Sequence, residues 1–247
     1  MLEHFAYLPK FAPKKVVAVF VVLVILNEIR KGYFSQFLPR AKQAFGAFRL
    51  RPVLIALAAL TLFSLADAWI SHAIQSANHT FISAWATAGH QIGKNTLAGL
   101  ITLYALTFLI RLDPRQRSFI FGAMLSSVLT GLATTALKFT ILRARPAADL
   151  GPFSFFNLAG FTQDERLFQS FPSGDVAMIA GATGYLFHRL PHWRLRGLVF
   201  LLPLSTALAR VAYNRHWPTD TITSVLLGLA LSYWVQKLEQ AQPGRTS

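Results

Sequence analysis

The stretch Ala209-Arg210-Val211-Ala212-Tyr213-Asn214-Arg215-His216-Trp217-Pro218-Thr219-Asp220 sets an Arg, a His and an Asp between two apolar runs. Five residues separate Arg210 from His216, and three separate His216 from Asp220. A helix end can then deliver a guanidinium while the next turn brings an imidazole beside a carboxylate. The combination suits a phosphate site. Arginine offers a fixed fork of donors to a tetrahedral oxyanion, and a histidine whose second ring nitrogen is held by a carboxylate is an oriented nucleophile or base. Taken alone, the same residues read equally as a boundary arginine and a loop His-Asp pair.

The apolar runs flanking this stretch belong to a series. The 247-residue chain is 53% hydrophobic and 14% charged, with a mean hydropathy of +0.43. That is too apolar for a soluble domain of this size and marks an integral membrane protein. Six stretches approach the roughly 20 residues that carry a helix across the hydrocarbon core: residues 53–73, 95–110, 118–139, 174–190, 197–213 and 221–236. Short connections predict one helical domain over residues 51–238, followed by a cytoplasmic tail over 239–247. The expected fold is an all-α polytopic bundle of six transmembrane helices.

The net charge of +14 does not point to nucleic acid, because the basic residues are not gathered on one aromatic-laced face. Their distribution reports topology. Arg30, Lys31, Arg40, Lys42, Arg49 and Arg51 precede the first span, and Arg111, Arg115 and Arg117 lie between the second and third. Arg189, Arg194 and Arg196 lie between the fourth and fifth, and Lys237 and Arg245 follow the last. All four sets fall on one side, which the positive-inside rule makes cytoplasmic. The expected loop from 74 to 93 has no Lys or Arg and faces outward, as does the stretch from Arg210 to Asp220. The chain has no Cys, so neither disulfides nor a thiolate metal site hold it together.

Residues 1–50 form a basic N-terminal segment with an apolar run of 11 residues, 16–26. The run is short for a span and no small-residue cleavage site follows it. An interfacial helix on the cytoplasmic face is expected, with a tilted seventh span as the alternative. Asp67 lies about 14 residues into the first stretch, where a carboxylate is expensive. It either neutralises a basic residue of the site or pairs with a donor on a neighbouring helix, and the second reading is preferred. His72, His79 and His90 are spaced by 7 and 11 without clustered carboxylates, which argues against a metal site.

The third stretch ends in Lys138-Phe139-Thr140-Ile141-Leu142-Arg143-Ala144-Arg145-Pro146. Lys138 and Arg145, two helical turns apart, share a face and can point at one anion, and Pro146 ends the helix there. A basic interfacial anchor is the alternative, less expected on an outer face. The connection from 147 to 171 carries Phe153, Phe155, Phe156, Phe161 and Phe168, which either rest on the membrane interface or bury the loop. Pro172-Ser173-Gly174-Asp175 then opens the fourth stretch. Ser173 reads as its N-cap, and the helix start offers free N–H groups to an anion.

Lys138-x6-Arg145-Pro146, Pro172-Ser173-Gly174 and Arg210-x5-His216-x3-Asp220 stand in one order on one side of the membrane. The arrangement resembles the type 2 phosphatidic acid phosphatase superfamily, the membrane lipid phosphatases that share a core with vanadium haloperoxidases. The resemblance implies a six-helix bundle with its site at the outer face. It implies that Lys138, Arg145 and Arg210 hold the phosphate, that Ser173 and the Gly174 N–H complete the cradle, that His216 attacks phosphorus and that Asp220 orients His216. Three permanent cations and a helix N-terminus supply the charge without a cofactor or Mg²⁺, and the intermediate is a phosphohistidine that water hydrolyses.

Two positions depart from the family pattern. Ala209 stands where many members have Ser, and Asp175 stands where the family usually has the His taken as general acid. An Asp with an ordinary pKa near 3.9 is lowered further by a helix N-terminus and nearby cations, while a bound phosphate dianion pushes it up. Three readings follow. Asp175 still donates a proton to an ordinary lipid phosphate monoester; or the leaving group is itself a phosphate and needs no donor, as in hydrolysis of an isoprenyl diphosphate or phosphate transfer from it; or the chain is a catalytically weak lipid-phosphate-binding relative. A transporter is the rival from another class, disfavoured by short loops and no visible inverted repeat. The expected setting is a bacterial cytoplasmic membrane with the site facing the periplasm, a lipid phosphate or diphosphate as substrate, membrane lipids as neighbours and no nucleic-acid partner.

Overall fold

A computed structural model describes residues 50–77 and 80–240. The expected N-terminal interfacial helix, residues 241–247 and His79 lie outside the described residues. Among the described residues there is no strand, and the elements are helices joined mostly by short turns. Helix α1 (Leu50–Phe63) continues through a tight 3-10 turn (Ser64–Ala66) into α2 (Asp67–Ser76). Phe63 and Asp67 on either side of the turn keep right-handed helical dihedrals, so the chain is not reversed there. The hydroxyl of Ser64 donates to the Thr61 carbonyl at 2.6 Å, a back-bond of the kind that bends helices.

Helix α3 (Thr80–Leu109) turns at Arg111, which adopts φ 50°, into α4 (Pro114–Ile141), whose proline occupies a first-turn position that lacks an N–H partner anyway. A long connection contains the short α5 (Leu158–Gln163), started by the Asn157 side chain accepting from the Gly160 N–H. Helices α6 (Gly174–Arg189), α7 (Trp193–Ala212) and α8 (Pro218–Gln240) complete the bundle. Each of the six apolar stretches is helical. The expected outer loop from 74 to 93 is corrected: α3 begins at Thr80, so most of that segment is helix. The helix runs well beyond the apolar stretch 95–110, and its glycines serve packing. A Cβ on Gly89 would lie 2.1 Å from the Ser205 carbonyl oxygen of α7.

Helix α6 is central, packed on α4, α7 and α8, while α3 lies against α7. The closest approaches use small residues: a Cβ on Gly228 of α8 would sit 2.5 Å from Cβ of Ala180 on α6. The interior carries buried hydroxyls, among them Ser126, Ser127, Thr130, Thr206, Ser224 and Ser232, while Leu65, Trp69, Leu109 and Trp193 point outward and are exposed. Apolar outside with small and polar inside suits lipid as the solvent, where backbone proximity and internal hydrogen bonds bind helices together. Among the described residues, three segments are long and apolar enough to cross a membrane: Ser83–Leu109, Gln116–Ala148 and Trp193–Ala212. Helices α1 and α6, of 14 and 16 residues, are shorter than a full crossing needs, and α8 is studded with Thr and Ser.

One end of the bundle collects the C-terminal ends of α4 and α7 and the first turns of α6 and α8. Arg111, Arg189, Arg194 and Lys237 belong to the opposite ends of their helices.

Candidate functional site

Helix α6 begins after a cis Phe171–Pro172 bond. Ser173 occupies the cap position with extended dihedrals, but its side chain makes no cap hydrogen bond. Its Oγ is buried without a partner. The expected cap is therefore one of backbone geometry only, and the hydroxyl is left for something else. Lys138, in the last turn of α4, brings its Nζ within 3.7 Å of where a Cβ on Gly174 would lie. Gly174 at the helix start thus lies beneath the ammonium.

Past α4 the chain runs alongside the returning loop: the Ala144 N–H donates to the Ser154 carbonyl, the Arg145 N–H to Leu167, and the Ser170 N–H to Arg143. This pairing fixes Arg145, whose Nε is buried with no partner. Arg210, in the last turn of α7, is buried too, and its Nε is likewise unpartnered. Lys138, Arg145 and Arg210 lie close enough for each to act electrostatically on another. Ser173 Oγ, Arg145 Nε and Arg210 Nε are buried donors lacking acceptors in one region of three cations and a helix N-terminus. Buried donors are normally satisfied, and an oxyanion would satisfy these.

His216 follows α7 through a turn in which the N–H groups of Arg215 and His216 donate to the Arg210 carbonyl. Asn214 takes φ 56° there, a conformation asparagine tolerates. The buried ring points Nδ1 at the Ser170 carbonyl, 2.7 Å away. A carbonyl only accepts, so Nδ1 carries the hydrogen and Nε2 keeps its lone pair. Asp220 Oδ2 is 3.6 Å from Nδ1, near enough for attraction but outside hydrogen-bond range. The direct orienting contact to His216 is thus a backbone carbonyl. Burial holds the imidazole down to about 4, against the pull of Asp220 and assisted by Lys138 and Arg145.

Asp220 is fully buried in the first turn of α8. Its Oδ2 accepts from Ser170 Oγ at 2.5 Å and from the Trp217 N–H at 2.9 Å, and its Oδ1 accepts from Arg143 Nη1 at 2.5 Å. Arg143 was not singled out in the sequence, although it lies between Lys138 and Arg145. It is buried against Phe155 and Trp217 and also binds Asp67 Oδ2 at 2.7 Å. Asp67 therefore has a donor beyond its own helix. A salt bridge spanning 76 positions leaves no local spacing to find it by.

Asp175, in the first turn of α6, is ion-paired with Arg210. Every candidate residue, Lys138, Arg145, Ser173, Gly174, Asp175, Arg210, His216 and Asp220, lies at this one end. Of the histidines set aside, His90 stacks edge-on against Tyr213 with ring centroids 5.5 Å apart. The Phe-rich connection divides: Phe168 is buried, Phe161 meets Phe139, and Phe153 and Phe156 face outward.

Among solved structures, the fold is similar to LpxE of Aquifex aeolicus, with a TM-score of 0.54 and 23% identity over 69% of this chain and 94% of that one. It is also similar to a transmembrane PAP2-type phosphatidylglycerolphosphate phosphatase from Bacillus subtilis, with a TM-score of 0.50 and 20% identity over 76% of this chain and 98% of that one. These likenesses concern the fold. An undecaprenyl-diphosphatase of Sulfolobus acidocaldarius is 29% identical over 97 residues, which are 39% of this chain and 46% of that protein. The match thus spans less than half of that relative's length. Residues 118–243 match the PAP2 superfamily, a segment that runs from α4 through α8 and contains Lys138, Arg145, Ser173, Gly174, Asp175, Arg210, His216 and Asp220. The chain belongs to the PAP2 superfamily.

Proposed function

We propose that the protein is a membrane lipid phosphatase that removes phosphate from a lipid diphosphate of isoprenyl type through a phosphohistidine on His216. The observation that carries this is the trio of buried, unpartnered donors, Ser173 Oγ, Arg145 Nε and Arg210 Nε, beside an imidazole whose Nδ1 is already engaged. With Lys138 and the Gly174 N–H they hold the terminal phosphoryl group. His216 Nε2 forms a bond to phosphorus as the bond to the bridging oxygen breaks, and that oxygen keeps the electron pair. Water then attacks the phosphohistidine, releasing inorganic phosphate and restoring the ring. Asp220 offsets the positive charge of the phosphorylated ring.

The choice of diphosphate rests on Asp175. Its ion pair with Arg210 favours the ionised carboxylate, which has no proton to give. A lipid monophosphate leaves as a weak base and needs none, whereas an alkoxide does. The named activity of the Sulfolobus relative supports the same reading. A second reading keeps monoesters: a substrate that takes over Arg210 removes the partner of Asp175 and raises its proton affinity beside the dianion.

The helical stretches, and the position of the site at the end opposite the basic loops, support chemistry at the outer face of a bacterial cytoplasmic membrane with the end of α8 inside. The test is phosphate release in detergent from a prenyl diphosphate and from phosphatidate. Faster release from the diphosphate, abolished by His216→Ala, is expected. A strong preference for phosphatidate overturns the substrate class, and release that survives His216→Ala overturns the nucleophile.

A further inference from the structure

Arg143 differs in kind from the arginines of the phosphate site. Its Nη1 donates to Thr219 Oγ1 at 2.8 Å and to Asp220 Oδ1 at 2.5 Å. Its Nη2 donates to Asp67 Oδ2 and to the Pro152 carbonyl, both at 2.7 Å, and its Nε donates to the same carbonyl at 2.9 Å. Every guanidinium nitrogen is engaged, and the side chain is 1% exposed. No part of it is offered to a ligand. Asp67 is equally committed, accepting the Thr219 N–H at 2.8 Å on Oδ1 and the Thr219 hydroxyl at 2.5 Å on Oδ2.

Two carboxylates share one guanidinium beside His216, so Arg143 does not neutralise Asp220 alone, and Lys138 and Arg145 also feel the charge of Asp220. Attack through Nε2 with hydrogen retained on Nδ1 makes the imidazole a cation, which the charge left on Asp220 favours. Without Asp67, Arg143 would serve Asp220 alone and cancel it. We propose that Asp67 and Arg143 are positioning residues for the nucleophile: Arg143 anchors Asp220, and Asp67 shares the guanidinium so that Asp220 keeps a negative field on His216. This rests on His216 being the nucleophile.

The groups facing His216 are Asp220 from α8, the Ser170 carbonyl from the loop, and Lys138 and Arg145 from the phosphate side. The signs for the two variants are opposite. Asp67→Asn removes a negative charge and makes the imidazolium harder to form, whereas Arg143→Gln removes a positive charge and makes it easier.

The test is an NMR titration of the full-length protein in detergent with ¹³C-labelled histidine, the His216 signal being the one lost in His216→Gln. Expected are a midpoint below that of the unaltered protein for Asp67→Asn, one above it for Arg143→Gln, and a return close to the original in the double variant. With a prenyl diphosphate, kcat falls about tenfold or more in Asp67→Asn while KM changes little, as for an interaction felt mainly in the transition state. Shifts in the same direction, or none, overturn the proposal. Should thermal melting show Arg143→Gln unfolded, Asp67→Asn alone decides: a lower midpoint with lowered kcat supports the proposal, and an unchanged or higher midpoint overturns it. Phosphate release that persists in His216→Gln defeats the nucleophile assignment instead, while the titration of the labelled ring still reads the charge balance.

Discussion

Arg210, at the end of α7, holds Asp175, at the start of α6, in an ion pair at the phosphate site. The residue expected to bind phosphate and the residue at the expected proton-donor position thus occupy one another. Substrate competes with Asp175 for Nη2 of the Arg210 fork, while Nε stands unpartnered. Replacing Asp175 by Asn, which keeps the shape and removes the charge, is expected to lower KM for a prenyl diphosphate about twofold to fivefold, as for loss of a competing partly exposed ion pair, with kcat within about threefold. Steady-state phosphate release measures both. Asp175→His is expected to raise phosphatidate hydrolysis by about a hundredfold, the low end of what a positioned general acid contributes.

Ser173 separates stability from function. Its buried hydroxyl has no partner, so Ser173→Ala removes a desolvated group and leaves no orphan behind. Thermal melting in detergent is expected to stay within about 0.5 kcal/mol of the original or rise slightly. Phosphate release should nevertheless fall about tenfold, the loss of one hydrogen bond to a charged oxygen. A matched loss of both would assign Ser173 to packing.

His216 gives the pH dependence its sign. In the folded protein the ring is held at about 4 by burial, against an unfolded value near 6.5. The free enzyme therefore keeps its lone pair at neutral pH and loses it as pH falls through about 4. The unfolded chain binds the extra proton first, so folding stability declines from about pH 6.5 toward 4, by about 3 kcal/mol. Melting measured from pH 7 to 4.5 is expected to fall, and to fall less in His216→Gln.

Gly89 tests the packing of α3 on α7. A methyl group there meets the Ser205 carbonyl oxygen at 2.1 Å, and neither backbone can move without parting the helices. Gly89→Ala is expected to destabilise by about 1–3 kcal/mol, read as a lower melting temperature. Gly99 on the same helix has nothing within 4 Å of the same position, so Gly99→Ala is the control and should be neutral or slightly stabilising.

The residues at the site's rim were legible because each sits at a helix end that its own neighbours announce. Lys138, Arg145, Arg210 and Asp220 needed only helical spacing, a proline and the limits of apolar runs. The start of α3 was not legible, because its residues from 80 to 94 lie outside the apolar run 95–110 that marked the helix. Nor was the contact orienting His216: its acceptor is the carbonyl of Ser170, and every residue has a carbonyl. Asp67 and Arg143 were visible one at a time, the first as an expensive carboxylate and the second as another cation in a basic tract. Their pairing belongs to the tertiary fold.

The small-residue packing of Gly228 on Ala180, and of Gly89 on Ser205, has a thermal consequence. Helices that part within lipid exchange protein neighbours for acyl chains and wet little new apolar surface. The heat capacity change that bends the stability curves of water-soluble proteins is then small for helix separation. Between 5 and about 40 °C this bundle should lose stability on a nearly straight line, with no maximum near room temperature and no weakening in the cold.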